Sequence, residues 1–275
     1  MLRIDAHQHF WKYDPVRDSW ITDDMCLLRQ DYLPNDLLPY LEANNIDGCV
    51  LVQSAQSPEE NVFQLDNAAA HDFIKGVVGW VDLRHPQLND QLQHYSSFPK
   101  MKGFREILQG NPELMLSADF RKGLGLLQRY GFTYDLLVHA AQLPAAIALV
   151  KMFPDQSFVL DHLGKPQIKE EEIRQWTKDI RQIASFENVS CKISGMMTEA
   201  DRENWVLDDL LPYMDVAVEA FGSKRIMFGS DWPVCLTAAS YAQTVNIARA
   251  YFSTFTINEQ ELFWGLNART FYKLN

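Results

Sequence analysis

The stretch Leu2-Arg3-Ile4-Asp5-Ala6-His7-Gln8-His9-Phe10-Trp11 decides the fold. Apolar Leu2, Ile4 and Ala6 alternate with Arg3 and Asp5, the period-two pattern of a short strand. An open, doubly wound sheet would follow its first strand with a glycine-rich phosphate loop. Here the strand runs into two histidines and two aromatic residues instead. Side chains two apart on a strand share a face, so His7 and His9 aim at one place. Two imidazoles so placed are a pair of metal ligands or a pair of proton-handling groups.

Seven more short apolar runs follow, at residues 48–53, 76–82, 101–107, 133–138, 157–162, 189–194 and 225–231. Helical patterns separate many of them, over 61–73, 118–130, 142–153, 171–186 and 203–221. Strand–helix alternation predicts a parallel sheet, and eight strands predict closure into a (β/α)8 barrel, an α/β fold. No linker or break in composition divides the chain, so residues 1–275 read as one domain. Its tail, 258–272, reads as a last helix packed back on the barrel.

Composition narrows the function. The chain is 47% hydrophobic with a formal net charge of -11, which argues against nucleic-acid binding because phosphate contacts need clustered Lys and Arg. The run Lys169-Glu170-Glu171-Glu172 reads as the first turn of a helix, where acidic side chains suit the dipole. Cys26, Cys49, Cys191 and Cys235 lie far apart and form no C-x-x-C pair. Neither disulfides nor a cysteine zinc site is expected, and Cys49 and Cys191 read as buried thiols. No amino-terminal signal segment and no membrane span of ~18 apolar residues is present, so a reducing cytoplasm is the expected compartment.

The apolar runs end in reactive side chains. They supply His7 and His9, Gln53, Asp82, Arg105 with Glu106, His139, Asp161 with His162, Lys192 with Ser194, and Asp231. Barrels of this kind place chemistry at the carboxyl ends of their strands, so one polar pocket at the mouth is predicted, with Arg105 and Lys192 as its cations. Bland roles stay open for several. His139 would also suit a loop start, and Lys192 and Ser194 a strand end. Arg105 would also suit an ion pair with Glu106 or Asp82. Asp231 stands opposite the first strand, because closure makes strands one and eight neighbours.

Asp5-Ala6-His7-Gln8-His9, Asp161-His162-Leu163-Gly164-Lys165-Pro166 and Gly229-Ser230-Asp231-Trp232-Pro233 together resemble the amidohydrolase superfamily, in particular its sugar-lactone hydrolase branch. Gly103-Phe104-Arg105-Glu106-Ile107-Leu108-Gln109 and Cys191-Lys192-Ile193-Ser194-Gly195 are similar to that branch too. The resemblance implies a (β/α)8 barrel with His7, His9, His162 and Asp231 at the reaction centre. Binuclear members carry a bridging lysine on strand four. Arginine cannot take that role, so Arg105 argues against two metals. Three histidines and one aspartate would hold a single Zn²⁺, or act as acid–base groups with no metal.

The expected activity is hydrolysis of an aldonolactone such as L-fuconolactone or L-rhamnonolactone by direct attack of water. Asp231 is the expected general base, and His162 with His7 or His9 the donors to the oxyanion. Arg105 and His139 are expected to bind substrate. Trp11 and Trp232 would wall the sugar ring or belong to the core. A Zn-dependent decarboxylase on the same barrel is the alternative. The expected partner is a small molecule, not nucleic acid or membrane.

Overall fold

A computed structural model describes Met1–Asn275. Eight parallel strands follow one another around a single sheet: β1 (Ile4–Gln8), β2 (Gly48–Val52), β3 (Ile74–Gly79), β4 (Met101–Ile107), β5 (Thr133–Leu137), β6 (Phe158–Leu160), β7 (Val189–Ile193) and β8 (Ile226–Phe228). The sequential order rules out a doubly wound sheet, whose order reverses at a switch point. Strand one meets strand eight just past the ends of the strands. Asp231 N donates to His7 O at 2.8 Å and His9 N to Trp232 O at 2.7 Å. The barrel therefore closes on the segments that carry the paired histidines and the aspartate.

The strands are buried on both faces, as a parallel sheet under helices must be. Leu51, Phe104, Tyr134, Leu136, Phe158, Cys191 and Phe228 face outward into a large core shared with the surrounding helices. Inside the barrel, Ile4, Ala6, Val50, Val52, Val78, Val159 and Met227 form a smaller cluster with Ala268, Tyr272 and Leu274 from the tail. The tail thus closes the floor. It is a continuous helical run, as its sequence suggests: Ile257–Glu261, a wider turn at Leu262–Leu266, and Asn267–Phe271. Gly265 permits its close approach to the amino-terminal segment: a Cβ there would lie 2.4 Å from Leu2 O.

Most other boundaries lie within a few residues of the pattern. Proline and serine account for one shift: Pro58 begins a helix at Pro58–Ala70, and Ser57 accepts from Glu60 N. The acidic run is a correction. Glu171 has φ 56, so Lys169–Glu171 turn before the helix at Ile173–Ala184 rather than opening it. Cys49 and Cys191 are buried free thiols. No helix is long and apolar enough to cross a membrane.

Candidate active site

His7 and His9 stand at the carboxyl end of β1, His162 just past β6 and Asp231 just past β8. A register shift between Asp5 and Gln8 re-aims β1. Asp5 turns outward, accepting from Ser230 N at 2.8 Å and Tyr241 OH at 3.1 Å, while His7 turns into the barrel. All four predicted residues are buried and converge. His7 Nε2 is 3.2 Å from His9 Nε2. Asp231 Oδ1 is 3.3 Å from His9 Nε2 and 3.8 Å from Nε2 of both His7 and His162.

Unusual backbone sets two of these side chains. His162, Leu163, Gly164 and Lys165 are all left-handed, with φ 52, 54, 69 and 48, and Asp231 has φ 60. Such non-glycine conformations cost about 1–3 kcal/mol each and persist only where surroundings hold them. Trp176 Nε1 holds this turn by donating to Leu163 O at 2.8 Å. Two glycines make room for the imidazoles. A Cβ on Gly195 would lie 2.7 Å from His162 Nδ1, and one on Gly229 would lie 2.8 Å from His7 Cβ.

Hydrogen bonds fix what each ring offers. His9 Nδ1 donates to the Val52 carbonyl at 2.8 Å. A carbonyl only accepts, so His9 Nδ1 carries a proton and the ring turns Nε2 to the centre. His162 Nδ1 lies 2.8 Å from Ser194 Oγ, which is itself buried behind the ring. Burial lowers the His162 pKa to about 4, against the pull of Asp231 and Asp161, so the ring is neutral at neutral pH. His7 is also held well below its ordinary value, by burial and by Lys192. Burial pushes the Asp231 carboxyl up, but facing His162, His9 and His7 it ends below the usual range and is ionised.

An ionic layer lies beneath. Arg105 NH1 is 3.2 Å from Asp161 Oδ2 and 3.3 Å from His7 Nε2, and NH2 donates to Gln53 O. Lys192, fully buried, has Nζ 2.6 Å from Asp135 Oδ2 and 3.0 Å from both Asp161 Oδ1 and His7 Nδ1. Tyr272 OH donates to Asp135 Oδ2 at 2.8 Å. Above the centre opens a cavity of about 450 Å³. Trp11, Trp20 and Met25 line it, as do Ile107 and Leu137, and the polar Ser54, Gln109, His139 and Thr198. Its cations are paired: Lys165 with Glu199 at 2.8 Å, Arg202 with Asp24 at 2.7 Å, and Arg105 with Asp161.

The amidohydrolase family model matches residues 4–274. The chain belongs to the amidohydrolase family. It is 38% identical to an L-fucono-1,5-lactonase of Burkholderia multivorans, over 99% of this chain and 96% of that protein. An L-fucono-1,5-lactonase of Burkholderia ambifaria is 32% identical over 87% of this chain and 83% of its own length. A crystal structure of an amidohydrolase from Burkholderia multivorans with bound zinc superposes over 100% of both chains, with TM-score 0.97 and 38% identity.

The family's donor set can be tested on this geometry. A tetrahedral Zn²⁺ with N and O ligands at about 2.0–2.2 Å needs donor atoms about 3.3–3.5 Å apart. His7, His162 and Asp231 offer donor atoms within 4.8 Å of one another. His9 Nε2 and the Asp231 carboxylate face each other directly. His7, His162 and Asp231 fit one divalent ion, and His9, the fourth expected ligand, falls outside that close group. Arg105 stands on strand four where a second ion would need a bridging lysine.

Other predicted residues scatter. His139 reaches the cavity from its rim, where partial burial and Lys165 lower its pKa. Trp11 lines the cavity too, though it is only 1% exposed and its Nε1 donates to Gln30 O. Trp232 does not line it. Its ring packs edge-on against Phe10 and Tyr32 in the core. Lys192 lies beneath the floor rather than at the mouth. Arg105 is not the partner of Glu106 or Asp82, because Arg84 takes both, at 3.7 and 2.7 Å. Trp20, Lys165 and Arg202 line the mouth unforeseen, since they sit in or beside loops that carry no periodic signal.

Proposed function

We propose that this chain hydrolyses sugar lactones, with an aldonolactone of the L-fucono-1,5-lactone kind as substrate and Asp231 as general base. One observation carries the reading: an ionised carboxylate stands among three imidazoles beneath a cavity whose cations are already paired. Such a cavity suits a neutral, polyhydroxylated ester. The likeness to two L-fucono-1,5-lactonases along most of the chain supports the same class. A decarboxylase would need cations free to grip a substrate carboxylate, and those at this mouth are engaged.

Water bound against Asp231 loses a proton to the carboxylate as its oxygen attacks the lactone carbonyl. Charge on the carbonyl oxygen is met by Arg105 and by whichever of His7 and His162 carries its proton on Nε2. His9 stands beside the base, with Nε2 3.3 Å from Asp231 Oδ1. The ring C–O bond then breaks, and its oxygen takes the proton back from Asp231. The product is an open hydroxy acid. Proton transfer of this kind gives about 10²–10⁴-fold. The oxyanion contacts add about 3–4 kcal/mol. A divalent ion held by His7, His162 and Asp231 would supply Lewis acidity at the same place.

Substitution tests the base. Asp231→Asn keeps the shape and should lower lactone turnover by at least about 10²-fold, with the melting temperature little changed. Acid release from L-fucono-1,5-lactone, followed with a pH indicator, reads it. Near-normal turnover in that variant would sink the assignment.

A further inference from the structure

Lys192 is unassigned by the mechanism, yet it is fully buried and touches a ring of the reaction centre. Its ammonium has three hydrogens and three acceptors around it: Asp135 Oδ2 at 2.6 Å, Asp161 Oδ1 at 3.0 Å and His7 Nδ1 at 3.0 Å. An ammonium only donates, so a hydrogen bond to Nδ1 requires that nitrogen to be bare. The His7 proton must then sit on Nε2, the nitrogen that faces the cavity. From there it points at His9 Nε2, 3.2 Å away. That nitrogen is the bare one, since His9 Nδ1 is committed to Val52 O. Each ring's proton thus meets the next acceptor.

The opposite tautomer fits worse. With the proton on His7 Nδ1, that N–H would face the Lys192 ammonium at 3.0 Å, donor against donor. Two bare Nε2 atoms would face each other at 3.2 Å. The acceptor it would need, Asp161 Oδ1, is 3.3 Å from Nδ1 but lies closer to Lys192 Nζ, at 3.0 Å. Arg105 NH1 also aims at His7 Nε2, at 3.3 Å, so two cations compete for the one bare nitrogen of the ring, and the shorter contact is that of Lys192.

We propose that Lys192 is a positioning residue that locks His7 as the Nε2–H tautomer, a neutral donor aimed into the cavity. Under the lactonase reading, on which this role rests, His7 is then the ring that donates to the carbonyl oxygen. The same lock opposes metal, because a ligand to Zn²⁺ at Nε2 must give up the hydrogen there. Lys192 therefore sets the balance of the centre between proton donation and metal binding. Tyr272 steadies the lock from the floor through Asp135.

The wild-type protein tests this directly. With ¹⁵N-labelled histidine and His7→Gln for assignment, two-bond ¹H–¹⁵N spectra of the metal-free protein should show His7 protonated at Nε2 and bare at Nδ1. A His7 proton on Nδ1 would overturn the proposal, whatever the substrate proves to be. A charge-neutral pair of changes supplies the second arm. Lys192→Met with Asp135→Asn removes one cation and one anion together, so folding does not depend on an unpaired buried charge. Titration with Zn²⁺ alone should then show binding about tenfold tighter than wild type, as expected for the loss of one hydrogen bond to a charged donor. Metal-free lactone turnover should fall at the same time. A merely structural role would weaken both, and unchanged or weaker zinc binding would overturn the lock.

Discussion

The two halves of the barrel interior are built on opposite principles. Towards β1, β2 and β3 it is aliphatic: Ile4, Ala6, Val50, Val52 and Val78 pack with Val159, Met227 and the tail. Towards β4, β5 and β7, with the residue just past β6, it is ionic: Arg105, Asp135, Lys192 and Asp161. The register makes this half. Arg105 pairs with Asp135 across β4 and β5 without a slip, so both face inward side by side. Aliphatic packing stabilises the barrel roughly in proportion to area buried. A buried ion network contributes little net stability, because desolvation offsets attraction, but it fixes geometry tightly. The aliphatic half holds the barrel together, and the ionic half holds His7.

Breaking the network on one side should therefore have the largest effect. Lys192→Met leaves Asp135 and Asp161 facing each other without their shared cation, and should destabilise by about 3–5 kcal/mol. Urea denaturation checks it, and adding Asp135→Asn should recover part of the loss. In the aliphatic half, Met227→Ala should cost about 2–5 kcal/mol and leave the His7 tautomer as it is. Equal disturbance of His7 by both would erase the distinction between the halves.

A pH series sharpens it further. Unfolded, the His162 imidazole takes its proton near its ordinary value of 6.5, whereas in the fold it resists until about 4. Between those values the unfolded chain binds more protons, so this ring's contribution to stability falls as pH drops through that window. Asp135 works against the trend, since its carboxyl is raised by burial to about 6 and holds its proton in the fold. The informative quantity is thus the difference between wild type and His162→Asn in denaturation at pH 4.5 and 6.5. The variant should lose less stability on acidification. The smallest change is Tyr272→Phe, which keeps the ring in the aliphatic half and removes the hydroxyl from Asp135. It should cost about 1 kcal/mol.

The aliphatic half was legible in the sequence, because β-branched and small residues at alternate positions can only mean a strand buried on both faces. The convergence of His7, His9, His162 and Asp231 was legible too, since each lies at or just past the end of an apolar run. The ionic layer was not. Lys192 at the end of an apolar run looks the same whether it opens to solvent or turns inward, and only closure brings Asp135 and Asp161 to it. The shift in β1 also escaped, because one extra residue leaves the alternation readable while reversing which side Asp5 takes. Trp232 takes the core place of the two that its sequence left open, because sequence neighbours point to opposite sides and Asp231 faces the cavity.

The turn from His162 to Lys165 has a consequence for how such a site can change over time. It is a short piece of mirror-image helix written in ordinary L-amino acids, and nothing local favours that handedness. Its shape is imposed by neighbours such as Trp176 and by the space left at Gly195. New substrate preferences therefore have freer ground at Trp20, Met25, Gln109 and Thr198, on the loops and short helical turns above. The floor is tied to distant parts of the molecule, and a drifting sequence would have to revise several of them together to move it.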